Sequence, residues 1–319
     1  MLCAIDVGHG YTKALSTHGG RFLFPSLICP LPARVDLGEF GQADVVTIDN
    51  QPFLVGDAAR PHATPLWTRH KATDIDTLRL MVIAVAQLGA VGPVGLATGL
   101  PLSWFGPQRK AFRESLLDTV SVVQLPGQPL QRVWFSPVKV LPQGLAAALA
   151  LIVDSHQGPG VYLVADIGYR TTDYLIVTKT SGSQVHADPT QAGSLEIGTH
   201  HIAAAIAANL EREFQIPFTA AEVETAETMF ANGQAVSLVN CRAHAVATVS
   251  GQLRDRLTEI LDTTLLKLTG VVLCGGGASV LRQAFPQAVI PSQSQWSNVL
   301  AYLSALQDGS MYNANLGPE

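Results

Sequence analysis

Charge is sparse in this chain, and none of it is in basic excess. Lys and Arg number 20 against 25 Asp and Glu, for a formal net charge of −5 over 319 residues. Without a basic surplus to neutralise phosphates, direct binding to nucleic acid is not expected. Cysteine is scarce too: Cys3, Cys29, Cys241 and Cys274 are scattered with no CxxC pairing. That excludes the usual spacings of a metal cluster, and Cys3 and Cys274, set in apolar runs, read as reduced buried thiols. No apolar run approaches the ~20 residues of a bilayer span. The start, MLCAIDVGHG, lacks the basic region and long apolar stretch of a signal peptide. The expectation is a cytoplasmic protein with no membrane partner. Aromatics are few, but hydrophobic residues reach 47%, which supports a packed core rather than disorder. The length suggests two domains or one large bilobal unit.

Alternation and turn signals predict strands at Leu2–Val7, Arg21–Pro25, Val45–Ile48 and Gln51–Val55. From Thr73 to Leu88 the apolar period becomes helical. Val94–Thr98 reads as a short strand ending in TGLP, Pro107–Leu117 as a surface helix, and Val120–Leu125 and Val133–Val140 as strands. Pro142 to Val153, PQGLAAALALIV, reads as a helix buried nearly all round. The turn His156–Gly160 marks the boundary between halves. The second half begins with a strand at Val161–Ala165, with another near Gln184–Ala187. Helices follow at Thr199–Phe214 and about Ala243–Leu268, then a strand at Val271–Cys274 running into three glycines and a helix. A last helix covers about Ser297–Leu306. Mixed strands and helices with antiparallel hairpins opening each half indicate α/β halves with mixed sheets.

The two halves echo each other. AIDVGHGYTK, Ala4–Lys13, aligns with ADIGYRTTD, Ala165–Asp173, placing Asp6 on Asp166, Gly8 on Gly168 and Thr12 on Thr172. Each copy is an apolar strand, then Asp-Val/Ile-Gly, then a tight turn into a second strand, which indicates a duplicated domain. Glycine lets backbone N–H groups approach a phosphate oxygen, and successive N–H groups in a turn form an anion-binding concavity. The aspartate repels phosphate but can hold a hydrated Mg²⁺, a hard cation that keeps its waters and bridges to phosphates. Two such hairpins suit a polyphosphate–metal complex gripped between two domains. VLCGGGA, Val272–Ala278, adds a glycine loop whose small residues suit the base and ribose of a nucleoside, with a helix N-terminus after it.

This order of motifs resembles the actin–Hsp70–hexokinase superfamily over nearly the full length. Within it, FPS at Phe24–Ser26, FLVGDAA at Phe53–Ala59, TGLP at Thr98–Pro101, DIGYRTTDY and LEIGTHHIAAAI at Leu195–Ile206 look like the ParM/StbA actin-like proteins. The resemblance implies an actin-like (ribonuclease H-like) bilobal α/β fold, with two duplicated domains, mixed five-stranded sheets and a central nucleotide cleft. Domain I would span 1–155, subdomain IA carrying an insertion, IB, at about 17–70. Domain II would span 156–319, IIA at about 156–195 and 269–295 and IIB at about 196–268. A C-terminal helix at about 297–306 would return toward domain I. The family is implied to hydrolyse ATP or GTP with Mg²⁺, to polymerise into filaments of its own copies and in many members to partition plasmids. DNA would be reached through an adaptor protein.

Residue roles carry over by motif position. Asp6 and Asp166 would organise the hydrated Mg²⁺. Gly8, His9 and Gly10, with Gly168, Tyr169, Arg170 and Thr171, would form the phosphate hairpins, and Lys13 would add a point charge. Gln143 stands where actins place a glutamine, and ParM proteins a glutamate, to orient the attacking water; an uncharged Gln suffices for that task. Gly198 would lie near the nucleotide, Arg212 or Glu213 would face the base, and Gly275, Gly276 and Gly277 would line the adenosine site. The chain departs from the pattern at His9, at Tyr169–Arg170 and at Ala301, where small or hydroxyl residues are usual. Arg170 calls for a phosphate contact or a salt bridge with Asp173. Two rivals stand beside this reading. A sugar or acid kinase of the superfamily would need a carboxylate base near the first connecting segment, which has no Asp or Glu between Val133 and Val153. A non-hydrolysing actin-like scaffold of the pilus-assembly type is the other. The pair His200–His201 projects ~100° apart if helical, which suits polar contacts better than a shared metal.

Overall fold

The computed structural model describes residues 1–33, 44–145, 148, 158–181 and 184–307. The chain divides into two compact units, Met1–Ala146 with the segment from Asn298, and Ala147–Ser297. His156 and Gln157 of the expected turn and most of the expected helix after Pro142 lie outside the described residues, and Gly160 already begins a strand.

The first unit is built on one sheet. Its strands are β1 (Leu2–Val7), β2 (Tyr11–Ser16), β3 (Arg21–Pro25), β4 (Ile28–Pro30), β5 (Val45–Ile48), β6 (Gln51–Val55), β7 (Gly92–Leu100), β8 (Val120–Gln124) and β9 (Gln131–Pro142). They lie in the order β3-β2-β1-β7-β9-β8-β5-β6-β4. β1, β7 and β9 run parallel and the remaining pairings are antiparallel. The sheet therefore has nine strands, not five. β8 pairs with β9 on one side and with β5 on the other, through Thr47↔Gln124 and Ile48↔Val123, so β5, β6 and β4 continue the same ladder. Helix α1 (Ile75–Gln87) starts at an Asp74 cap, whose carboxylate accepts from Thr77 N at 3.0 Å, and it is buried without a break from Leu80 to Ala86. Helix α2 (Leu102–Leu117) starts five residues before the expected position and contains Pro107.

The second unit holds β10 (Gly160–Ile167), β11 (Thr172–Lys179), β12 (Val185–Leu195) and β15 (Gly270–Cys274) in the order β12-β11-β10-β15. A fifth position is reduced to a single parallel bridge, Val272 to Val289. β13 (Thr228–Ala231) and β14 (Gln234–Ser237) form a separate hairpin. Helix α3 (His200–Phe214) buries Ile202, Ile206 and Leu210, one residue per turn. A short helix, α4 (Ala220–Glu224), carries a Thr219/Glu222 capping box, and α5 (Val239–Leu261) buries Val249, Leu253, Leu257 and Leu261. Helix α6 (Ser297–Gln307) closes the described chain. Among the described residues no helix is long and apolar enough to cross a membrane.

Candidate functional site

In the first unit, β1 and β2 pair Asp6 with Lys13 and Val7 with Thr12, leaving Gly8–Tyr11 as the turn. Gly8 N–H closes that turn on the Tyr11 carbonyl at 3.1 Å. A Cβ on Gly8 would stand 3.0 Å from the same oxygen, so the tight turn needs glycine there. The Asp6 carboxylate is buried and shared: Lys13 Nζ donates to Oδ2 at 3.3 Å and Gln143 Nε2 to Oδ1 at 2.8 Å. Gln143 stands just ahead of a helix that is under way at Leu145. Pro142 ends β9, and Gln143–Gly144 is a turn with Gly144 at φ +74°. That turn is pinned from three sides. Gln143 N–H donates to Leu100 O at 2.8 Å, Gly144 N–H donates to Asn298 Oδ1 at 3.0 Å, and a Cβ on Gly99 would overlap the Tyr302 hydroxyl. The TGLP stretch and α6 therefore aim Gln143 at Asp6. FPS works at the hairpin itself, since Ser26 N–H donates to Gly10 O at 2.9 Å and its hydroxyl meets Thr12 Oγ1 at 2.9 Å.

The second unit repeats the register and the turn-closing bond. β10 and β11 pair Asp166 with Asp173 and Ile167 with Thr172, and Gly168 N–H closes the turn on Thr171 O at 2.8 Å. Its Cβ would again lie 3.0 Å from that carbonyl. Lys13 of the first copy is replaced by Asp173, so two buried carboxylates stand opposite each other, a pairing that favours a nearby cation. Asp173 accepts a short hydrogen bond from Ser194 Oγ. The glycine loop packs on this hairpin. Gly275 has φ +83°, and a Cβ there would overlap Asp166 Oδ1 and the Ile167 carbonyl oxygen. Gly277 N–H donates to Ile167 O at 2.8 Å, and a Cβ on Gly198 would lie 2.5 Å from Tyr169 O. Gly276 is the exposed member of the three.

No α-helix follows the glycines. Residues 276–281 are turns, leading to a 3-10 turn at Arg282–Ala284 with bonds such as Phe285 N–H to Arg282 O. Pro286 allows too few residues to repay helix nucleation. Arg212 and Glu213 are not brought to the glycine loop by any contact described. They sit about 20 Å along α3 from its start, and Arg212 bonds back to Ala208 O and Asn209 Oδ1 of its own helix. Arg170 reaches Glu196 Oε1 at 3.4 Å, and Asp173 pairs in register with Asp166. His200 Nδ1 meets Tyr169 OH at 3.2 Å, and His201 Nδ1 meets Gly198 N at 3.2 Å, so both rings brace the hairpin. Burial, then the charges of His201 and Arg170, push the His200 pKa below its ordinary 6.5. His9, at the first turn, is buried between Trp67, 6.5 Å away between ring centroids, and Trp104, edge-on at 5.8 Å. Neither indole carried a signal in the sequence beyond its rarity.

Comparisons with known proteins agree with this geometry. Residues 4–145 match the family described as actin like proteins N terminal domain, and residues 164–287 match archaeal actin homologue MreB-like, C-terminal. An archaeal actin homologue of Thermoplasma acidophilum is 23% identical over 96% of this chain and 99% of its own length. Among solved structures, a ParM filament from Clostridium botulinum superposes with a TM-score of 0.83 at 17% identity, covering 96% of this chain and 99% of that one. An archaeal actin homologue in complex with ADP gives 0.78 at 22% identity, with coverage of 96% and 99%. The two family matches are consecutive along the chain and each spans one hairpin: the chain has an actin-like fold, with an actin like proteins N terminal domain followed by an archaeal actin homologue MreB-like C-terminal domain.

Proposed function

We propose that this chain binds a nucleoside triphosphate, ATP or GTP, with Mg²⁺, hydrolyses it and couples hydrolysis to self-assembly into filaments. The observation that carries the reading is the repeated hairpin, with the same register, the same turn-closing bond and a buried aspartate at the same place, Asp6 and Asp166, in each unit. The kinship to proteins whose structures include a filament and an ADP complex supports it.

The residues fit the group. With Gly8 and Gly168 N–H committed to closing their turns, the backbone of His9–Gly10 and of Tyr169–Arg170–Thr171 presents the donors assigned to phosphate oxygens. Gly275 and Gly277 leave no space for a Cβ, so the glycine backbone passes directly against Asp166 and Ile167. Asp6 keeps acceptor capacity after engaging Lys13 and Gln143, because a carboxylate offers about four lone-pair sites. Asp6 and Asp166 are the residues that would hold Mg²⁺, which would neutralise phosphate charge. Gln143 orients the attacking water. Its Nε2 is occupied by Asp6, so its amide is fixed in rotation and its oxygen faces away from that carboxylate. Lys13 offsets negative charge at the hairpin while remaining paired to Asp6. The physiological role we assign is movement or positioning of cargo, such as plasmid DNA, through an adaptor protein in the cytoplasm.

Light scattering after addition of ATP or GTP with Mg²⁺, recorded together with phosphate release, tests the proposal. A rise that decays as phosphate appears is the expected result. Turnover that needs an added sugar or acid would replace it with the kinase reading, and binding without turnover would replace it with the scaffold reading. Gln143→Ala should bind nucleotide and release phosphate at least tenfold more slowly; an unchanged rate removes the water-orienting role.

A further inference from the structure

With Arg212 and Glu213 about 20 Å along α3 from its start, the base of a bound nucleotide has no reader among the residues the sequence suggested. The glycine loop of the second unit supplies one. Gly275 N–H donates to Ser294 O at 2.9 Å and Gly277 N–H to Ile167 O at 2.8 Å, so the outer two glycines serve packing. Gly276 between them is exposed. Among the described residues, both atoms within 4 Å of a Cβ built on Gly276 belong to one side chain, Gln295: Cγ at 3.8 Å and Nε2 at 4.0 Å. Those are ordinary contacts, so the Gln295 carboxamide lies alongside the exposed glycine. Its backbone is tied to the loop. Gln295 is the middle residue of the 3-10 turn Ser294–Trp296, whose Ser294 carbonyl accepts from Gly275 N–H and, at 2.9 Å, from Ser297 Oγ. Trp296 N–H donates to Gln293 O at 2.8 Å, and the indole of Trp296 is buried next in sequence. The turn is thus anchored on both sides while the Gln295 side chain stays half-buried.

We propose that Gln295 reads the base of the nucleotide and that its amide makes adenine the preferred ring. The inference rests on the nucleotide reading above. A flat ring laid along the exposed Gly276 would bring its polar edge to the Gln295 amide. A carboxamide offers a donor and an acceptor side by side. Adenine matches that pair on both sides of its amino group, through N7 with N6–H and through N1 with N6–H. Guanine shows two acceptors, N7 and O6, on the first of these edges and complements the amide only on the second. On the mismatched edge the amide carbonyl would face a second acceptor and stay unpaired, which is how a hydrogen-bonding site rejects the wrong ring.

Titration calorimetry on the full chain tests it, with the Mg²⁺ complexes of slowly hydrolysed ATP and GTP analogues and of inorganic tripolyphosphate, which has no base. Wild type should bind the ATP analogue at least about fivefold more tightly than the GTP analogue. Gln295→Leu keeps the bulk and removes both hydrogen-bonding groups. Its affinity for the ATP analogue should fall about tenfold and the adenine preference should vanish, with tripolyphosphate binding unchanged. Gln295→Lys offers donors alone, which suit guanine N7 and O6, and should reverse the preference. Wild type that binds the two analogues equally, or favours guanine, overturns the proposal. So does a Gln295→Leu chain that binds the analogues like wild type, or that loses tripolyphosphate to the same extent, since the residue is then structural. Should Gln295→Leu fail to fold, the side-chain amide resonances of Gln295 in ¹⁵N-labelled wild type, assigned with Gln295→Glu, give the answer. They should shift with the ATP analogue and not with tripolyphosphate, and identical shifts refute the assignment. Wild type that binds neither analogue sinks the nucleotide reading itself, an outcome distinct from binding that ignores the base.

Discussion

Replacing Gly275 with alanine tests the packing of the second unit directly, because its neighbour supplies the control. At φ +83° the backbone is left-handed, which costs an alanine about 1–2 kcal/mol. The added methyl would also overlap Asp166 Oδ1 and the Ile167 carbonyl oxygen, with the Ile167 carbonyl carbon at 2.9 Å. Two of these three atoms are backbone, so relief requires a strand shift, and overpacking of that kind costs about 1–3 kcal/mol. The sum is about 2–5 kcal/mol. For a unit of this size that lowers the melting temperature by roughly 5–15 °C. At Gly276 the nearest atom to a new Cβ is Gln295 Cγ at 3.8 Å, an ordinary contact, and φ is not positive there. Gly276→Ala should therefore lie within about 0.5 kcal/mol of wild type. Calorimetric melts of the two variants without nucleotide are the assay. Equal melting temperatures, or a more damaged Gly276→Ala, would refute the placement of this loop against Asp166. Because the overlap falls on that carboxylate, Gly275→Ala should also lose Mg²⁺-dependent nucleotide affinity, while Gly276→Ala retains it.

Further outcomes follow from other contacts. Arg242 donates to the carbonyls of Glu224, Val223 and Ala226 at 2.9, 2.8 and 2.8 Å, so Arg242→Ala should destabilise by about 2–4 kcal/mol in denaturant melts, with Lys restoring little because it lacks the planar fork. His200 is held below its ordinary pKa mainly by burial, so the folded state favours the neutral ring. Its contribution to stability is then complete above about 6.5 and lost as pH falls through the lowered folded value. Stability measured between pH 7.5 and 5 should decline less steeply in His200→Gln than in wild type. Burial raises the Cys3 thiol to about 11 and leaves Cys274 with no exposed surface, so a thiol reagent at pH 8 should modify neither until the chain unfolds.

Local chemistry alone determined much of this protein. Alternation bounded by Gly, Pro and Asp/Asn located β1, β3, β5 and β6 at their observed limits, because those signals act within a few residues. The Asp-x-Gly repeat was legible for the same reason: its turn-closing bond spans only four positions in each copy. What tertiary structure decided lies farther apart in sequence. Lys71 meets Val7 across 64 positions and Gln143 meets Asp6 across 137. No periodicity encodes such contacts; they arise when packing brings separate elements together. Likewise, two residue pairs between β5 and β8 join β5, β6 and β4 to the nine-stranded sheet. The glycine loop shows the boundary most clearly. Three glycines announced close approach, but only the packed second unit specified that Gly275 must pass against Asp166, while Gly276 stays exposed. It also set turns where propensity alone suggested a helix. Arg170 meets Glu196, the residue after β12, across 26 positions, another contact that packing rather than periodicity supplies.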